Sequence, residues 1–135
     1  MELPTTWPSS GRIQVRNEYN NAVGHLDFSI RAQAGGGETL HINSLSINTG
    51  LRSRGVSDAV LGQVVQNNPR IMSISGELAG ENLRIYQQAI GQNLPPIEAV
   101  RRTPAYRLRR RLGFGTIDHF EVNAWGTPIL RTSRP

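Results

Sequence analysis

The residues best suited to chemistry form one basic turn, Leu51-Arg52-Ser53-Arg54-Gly55-Val56-Ser57. Two guanidinium groups can each grip a phosphate with a fork of N–H donors. Gly55 lets an anion come close to the backbone. Ser57 can cap a following helix or donate a hydrogen bond to an anion, and Asp58 suits the first helical turn. Free N–H groups at a helix start, with the positive end of the helix dipole, complete an anion site. The same residues also make an ordinary solvated turn, and local chemistry leaves both readings open. A second basic run, Arg107, Arg109, Arg110 and Arg111, follows Arg101 and Arg102. Such a run meets a phosphate backbone or simply keeps a face in water. The histidines at 25, 41 and 119 lack metal-ligand spacing, the carboxylates are scattered, and there is no cysteine. No metal site and no thiol nucleophile are therefore expected.

Placing the basic turn requires a strand before it and a helix after it. Ile42, Leu45 and Ile47 are apolar among polar neighbours, with a one-residue slip between Ile42 and Leu45. A strand has period two, so the slip marks a bulge or a tolerated serine. After the turn, Val60, Leu61, Val64 and Val65 form a helical stripe. Upstream, residues 12–16 read as a strand carrying Ile13 and Val15, and residues 23–32 as a half-buried strand carrying Leu26, Phe28 and Ile30. Short turns, including Gly35-Gly36-Gly37, join these into an antiparallel meander.

Downstream, Asn67-Asn68-Pro69 stops the helix, and residues 70–75 form a short strand with Ile71, Met72 and Ile74. A strand–helix–strand crossover places that strand parallel to the central one. A second helix carries Leu83, Tyr86 and Ile90 and ends at Gly91; a short piece near Ala99 and Val100 follows Pro95-Pro96. Thr103-Pro104 starts another helix, a cap residue followed by proline at the first helical position. That helix spans 105–112, with Leu108 and Leu112 as its apolar stripe and the arginines exposed around it. Residues 116–122 form a strand, and 127–132 return as an edge strand, where Pro128 is tolerated.

The 135 residues read as one domain with an irregular lead-in over 1–11. The formal charge of +5 favours polyanionic partners, nucleic acid and phosphorylated cofactors among them. No long apolar run or leader-like start is present, so neither a membrane partner nor a secretory signal is expected.

The pattern Arg52-x-x-Gly55-x-Ser57 resembles the acyl-CoA pyrophosphate loop of the GNAT acetyltransferase superfamily: Arg or Gln, two residues, Gly, one residue, then Gly or Ala. Ile47 resembles the apolar end of that family's fourth strand. Leu112-Gly113-Phe114 resembles the Leu-Gly-Phe that closes its last helix, and Pro104 and Ala105 stand where such residues are common. Thr49 departs from a common proline, and Ser57 adds a hydroxymethyl group at the final small position. The resemblance covers residues 12–132, from the family's second strand to its seventh. The family's first strand and first two helices have no counterpart. Those elements often wall the acceptor site, so the resemblance implies a minimal member, a domain of a larger protein, or a wall completed by a protein partner or a second copy.

The resemblance implies an α+β fold with a GNAT-like mixed sheet: an antiparallel N-terminal meander, a parallel βαβ crossover and a C-terminal hairpin. It implies acetyl-CoA as the acyl donor, in the cleft where the central strand and the 70–75 strand splay. Ile47 and Thr49 would pair with the pantetheine arm, and Arg52, Arg54, Gly55 and Ser57 with the pyrophosphate. The acceptor amine attacks the thioester directly, so catalysis needs a proton acceptor, orientation and a donor for the departing thiolate. The family often places a tyrosine four residues before the glycine of Leu-Gly-Phe; Arg109 stands there. Tyr106 and Tyr86 are the remaining donor candidates, unless both rings merely fill core or water serves instead. Glu77 and His41 are the base candidates, ahead of Glu38, Asp27 and His25, and Asn82 orients acceptor or cofactor or caps the second helix. The implied function is N-acetyl transfer to an amine: that of aminoacyl-tRNA, of a protein, or of a small molecule. Toxin-like members of the family act on charged tRNA. That reading gives Arg107, Arg110 and Arg111 the acceptor, with a cytoplasmic site of action reached as a delivered toxin domain. The alternative is a basic nucleic-acid-binding module without catalysis.

Overall fold

The computed structural model describes residues 10–48 and 55–135. They fall into two compact units, Met1–Met72 and Ser73–Pro135. The first unit begins with the expected meander: β1 (Ser10–Arg16), β2 (Ala22–Ala32) and β3 (Glu38–Ile47). Both pairs are antiparallel, with Ile13 opposite Leu26 and Leu26 opposite Leu45. Ile13, Val15, Leu26, Phe28, Leu40 and Ile47 are buried, as period-two alternation requires.

The slip between Ile42 and Leu45 is a bulge. Asp27 pairs with Ser44 and Phe28 with Ile42, so Asn43 is the extra, exposed residue that restores register. Gly24 is required where β2 crosses β3: a Cβ there would stand 2.3 Å from the Ser46 carbonyl oxygen.

Helix α1 (Val56–Asn67) buries Val60, Leu61, Val64 and Val65, the stripe read from the sequence. Ser57 does not cap it. The N-cap is Gly55, and Ser57 lies inside the first turn. At the other end, the side-chain amides of Asn67 and Asn68 donate to the carbonyls of Gln63 and Val64, each at 2.8 Å. These bonds satisfy acceptors the helix leaves open. Strand β4 (Ile71–Glu77) then begins beside β3, where the Glu38 N–H donates to the Arg70 carbonyl at 2.8 Å. Strands that start side by side after a helical crossover run parallel.

The second unit holds the rest of β4, then α2 (Gly80–Gly91), α3 (Pro96–Arg101), α4 (Pro104–Arg111), β5 (Thr116–Val122) and β6 (Pro128–Ser133). Thr103 caps α4 as its sequence indicates, accepting from the Tyr106 N–H at 3.2 Å. The described strands are ordered β1-β2-β3-β4-β6-β5. The return strand is therefore not an edge. β6 inserts between β4 and β5, antiparallel to both. Pro128 is tolerated because it is the strand's first residue, and its carbonyl accepts from the Leu78 N–H at 3.0 Å.

One face of this sheet carries Leu130, packed with Leu78, Tyr86, Ala89, Ala99, Val100 and Tyr106. Ile117 and Phe120 of β5 close the cluster. Among the described residues, no helix is long and apolar enough to cross a membrane.

Candidate functional site

The resemblance-derived residues divide between the two units. In the first, Ile47 is buried at the end of β3 and Gly55 opens α1. Thr49, Arg52 and Arg54 lie outside the described residues. Gly55 has φ 74°, a left-handed conformation that favours glycine, and a Cβ there would meet none of the described residues within 4 Å. The N-cap of α1 is Gly55, which brings no side chain to its first-turn N–H groups. A left-handed glycine before a positively polarised helix end fits a phosphate group. His41 is half-buried near the start of β3. At about 3.3 Å per residue it lies about 20 Å from Ile47 along the strand.

In the second unit, Tyr86 and Tyr106 belong to one cluster, but their hydroxyls differ. The Tyr106 hydroxyl donates to the Gly115 carbonyl at 2.9 Å, fastening α4 to the chain entering β5. The Tyr86 ring lies 6.5 Å from that of Phe120, centroid to centroid, and its hydroxyl makes no hydrogen bond within the described residues. Burial raises the Tyr86 pKa above its usual value near 10. The hydroxyl therefore stays protonated at neutral pH, as a proton donor must.

Glu77 is exposed and alternates away from this cluster, since the buried neighbour Gly76 occupies the core-facing position of β4. It stands in a cross-strand row with Ile129 and Glu121. His119 lies on the same outward face, its Nε2 3.7 Å from Glu121. Among the described residues, no group of three His, Cys, Asp or Glu side chains is arranged to hold a metal ion. The outward pair of His119 and Glu121 was missed in the sequence, where the bulge between Ile117 and His119 blurs the alternation. Asn82 does not cap α2, whose N-cap is Ala79. Its side-chain oxygen accepts from the Ala105 N–H at 2.8 Å, joining α2 to the first turn of α4.

Arg109 corrects the expectation that every arginine of α4 is exposed. It is 4% exposed, and its Nη1 donates to the carbonyls of Ile74 at 3.3 Å and Leu130 at 3.2 Å. Its position falls on the inward stripe with Tyr106 and Leu108. Burial lowers its pKa to about 10, so the group remains charged at neutral pH. No carboxylate pairs with it among the described residues. The other arginines of this region, Arg102, Arg107, Arg110 and Arg111, are exposed. Arg101 pairs with Glu98 at 2.7 Å, and Arg102, Arg107 and Arg110 have no ion-pair partner among the described residues. Residues 96–112 hold six arginines against one glutamate, a formal balance of +5 that equals the charge of the whole chain.

Compared with family models and with curated proteins, the sequence matches none. Its fold matches solved structures. Nourseothricin acetyltransferase aligns with a TM-score of 0.59 at 18% identity, over 95% of this chain and 66% of its own. A GNAT-like decarboxylase, GphF, in complex with isobutyryl-CoA, gives 0.65 at 16% identity, over 91% of this chain and 77% of its own. Aminoglycoside 6'-N-acetyltransferase complexed with coenzyme A gives 0.56 at 15% identity, over 94% and 73%. The likeness is one of fold: the chain has the GNAT acetyltransferase architecture, a mixed sheet with an antiparallel meander, a helical crossover and a C-terminal hairpin. It spans 66% of nourseothricin acetyltransferase, just under two thirds of that length.

Proposed function

We propose that the chain is an acetyl-CoA-dependent N-acetyltransferase acting on an amine. The observation that carries this reading is Gly55. It is left-handed and stands as the N-cap of α1, at the place where Arg52-x-x-Gly55-x-Ser57 implies a pyrophosphate loop. In this reading Arg52, Arg54 and the first-turn N–H groups of α1 hold the pyrophosphate. The β3 backbone near Ile47 and Thr49 takes the pantetheine arm. Bound acetyl-CoA supplies an activated thioester. The proton of the attacking amine passes through water to Glu77, or to His41 further along β3, and Tyr86 provides the proton for the leaving sulfur. The engaged hydroxyl of Tyr106 suits it less for that role.

The acceptor favoured by the charge distribution is the amino group of an aminoacyl-tRNA, with Arg107, Arg110 and Arg111 on its phosphates. A toxin-like member acting in the cytoplasm fits that acceptor. Labelled acetyl-CoA offered with aminoacyl-tRNA, uncharged tRNA, basic peptides and small amines tests both levels of the proposal. Label is expected in the aminoacyl group alone. Transfer to peptides or small amines instead removes the tRNA acceptor and keeps the acyltransferase. RNA binding with neither transfer nor acetyl-CoA binding leaves the non-catalytic module. Calorimetric titration of acetyl-CoA should show at least tenfold weaker binding to R52A/R54A, with stability unchanged; equal affinity removes the pyrophosphate assignment.

A further inference from the structure

All 15 basic side chains of this sequence are arginine, and none is lysine. In the second unit three of them, Arg102, Arg107 and Arg110, are exposed without an ion-pair partner among the described residues. Arg107 and Arg110 are three apart on α4 and so share a side of that helix, and Arg102 caps the C-terminus of α3 just before it. The buried Arg109 interrupts this run only by turning inward onto the Ile74 and Leu130 carbonyls, and every exposed charge of α4 is a guanidinium.

A lysine amine in its neutral form attacks an acyl thioester. An N–C bond forms, the C–S bond breaks, the thiol leaves with the amine proton, and the positive charge of the side chain is lost. A guanidinium has a pKa above about 12, offers no free amine at neutral pH, and keeps its charge. We propose that the α3–α4 face is a phosphate-binding surface made resistant to acylation: it holds a nucleic-acid phosphate backbone and cannot be discharged by the acyl donor its own site uses. The proposal rests on the N-acetyltransferase reading for its purpose, but its chemistry is testable without that activity.

The test compares the wild type with R102K/R107K/R110K and R102Q/R107Q/R110Q, using an unacylated tRNA transcript as the probe at fixed salt. Each protein is measured before and after treatment with an amine-selective acetylating reagent, with O-acyl groups removed by hydroxylamine and acetylation read by intact mass. Because a reagent delivers the acetyl group, loss of enzymatic turnover does not affect the outcome. The untreated lysine variant is expected to bind RNA within about threefold of wild type, since each lysine keeps a phosphate contact. After treatment it should carry one acetyl group more than the treated wild type for each introduced lysine and lose affinity roughly tenfold, to the level of the glutamine variant. The treated wild type should hold its affinity within about twofold. An untreated lysine variant already as weak as the glutamine variant overturns the proposal, because fork geometry rather than inertness then explains the arginines. A treated lysine variant that still binds fully, or a wild type that does not bind RNA at all, also overturns it.

Discussion

Arg109→Met weighs a buried charge against the bonds that hold it. Lowering the pKa from its ordinary guanidinium value to about 10 corresponds to about 3 kcal/mol of desolvation cost at neutral pH. Below about pH 10 the group is protonated in both folded and unfolded chains, and the full cost is present. From about pH 10 up to the ordinary guanidinium value the unfolded chain binds more protons than the folded one, so the contribution of this group to stability rises with pH there. Against the cost stand two charge-assisted hydrogen bonds to the Ile74 and Leu130 carbonyls. At 3.3 and 3.2 Å they are long, so each contributes about 1.5 kcal/mol, the low end for a charged donor. The two effects nearly cancel.

Methionine replaces the stem with a flexible apolar chain of similar reach, and the two strands remain paired. Arg109→Met should therefore change stability at pH 7 by less than about 1 kcal/mol. Arg109→Ala leaves a cavity beside Tyr106 and Leu108 and should cost about 2–4 kcal/mol. Urea unfolding of the three proteins followed by circular dichroism measures both differences. A methionine variant as unstable as the alanine variant refutes the near-cancellation. An alanine variant as stable as wild type refutes the packing role.

The two tyrosines should separate in function and stability. Tyr86→Phe is expected to reduce acetyl transfer at least tenfold with acetyl-CoA affinity retained, while Tyr106→Phe should cost about 1 kcal/mol and keep turnover within twofold; an unchanged Tyr86→Phe rate assigns the proton to water. In the first unit, the Arg12 side-chain hydrogen bond to Asp27, at 2.6 Å, holds that carboxyl below its ordinary value of 3.8. Its stabilising contribution is present above that value and lost as pH falls through the lower folded one. Acid unfolding of wild type and Arg12→Gln should accordingly show curves that differ above about pH 4 and converge at the acid end. A constant separation down to the lowest pH would contradict the linkage.

Most elements could be read from the sequence because their signals are local. Alternation in β2 and β3, the Val60, Leu61, Val64 and Val65 stripe, and Thr103-Pro104 each fix a segment by backbone sterics and burial of one face. Leu112-Gly113-Phe114 was equally plain, because it is a contiguous run set by backbone shape, with Gly113 at φ 92° just after α4. The sequence did not reveal what long-range pairing decides. β6 lies inside the sheet because β4 and β5 both pair with it, and a lone Pro128 suggested an edge. Asn82 looked like a cap, but its partner is the Ala105 N–H, 23 residues away. Tyr106 and Tyr86 are alike in sequence, and only the Gly115 carbonyl distinguishes them. Arg109 is the clearest instance. Its charge argued for solvent, while helical periodicity turned it inward. The carbonyls that make burial tolerable, from Ile74 and Leu130, are 35 and 21 residues away and converge only once β4 and β6 are paired. A buried charge is tolerated only with its partners in place, and those partners exist only in the folded chain.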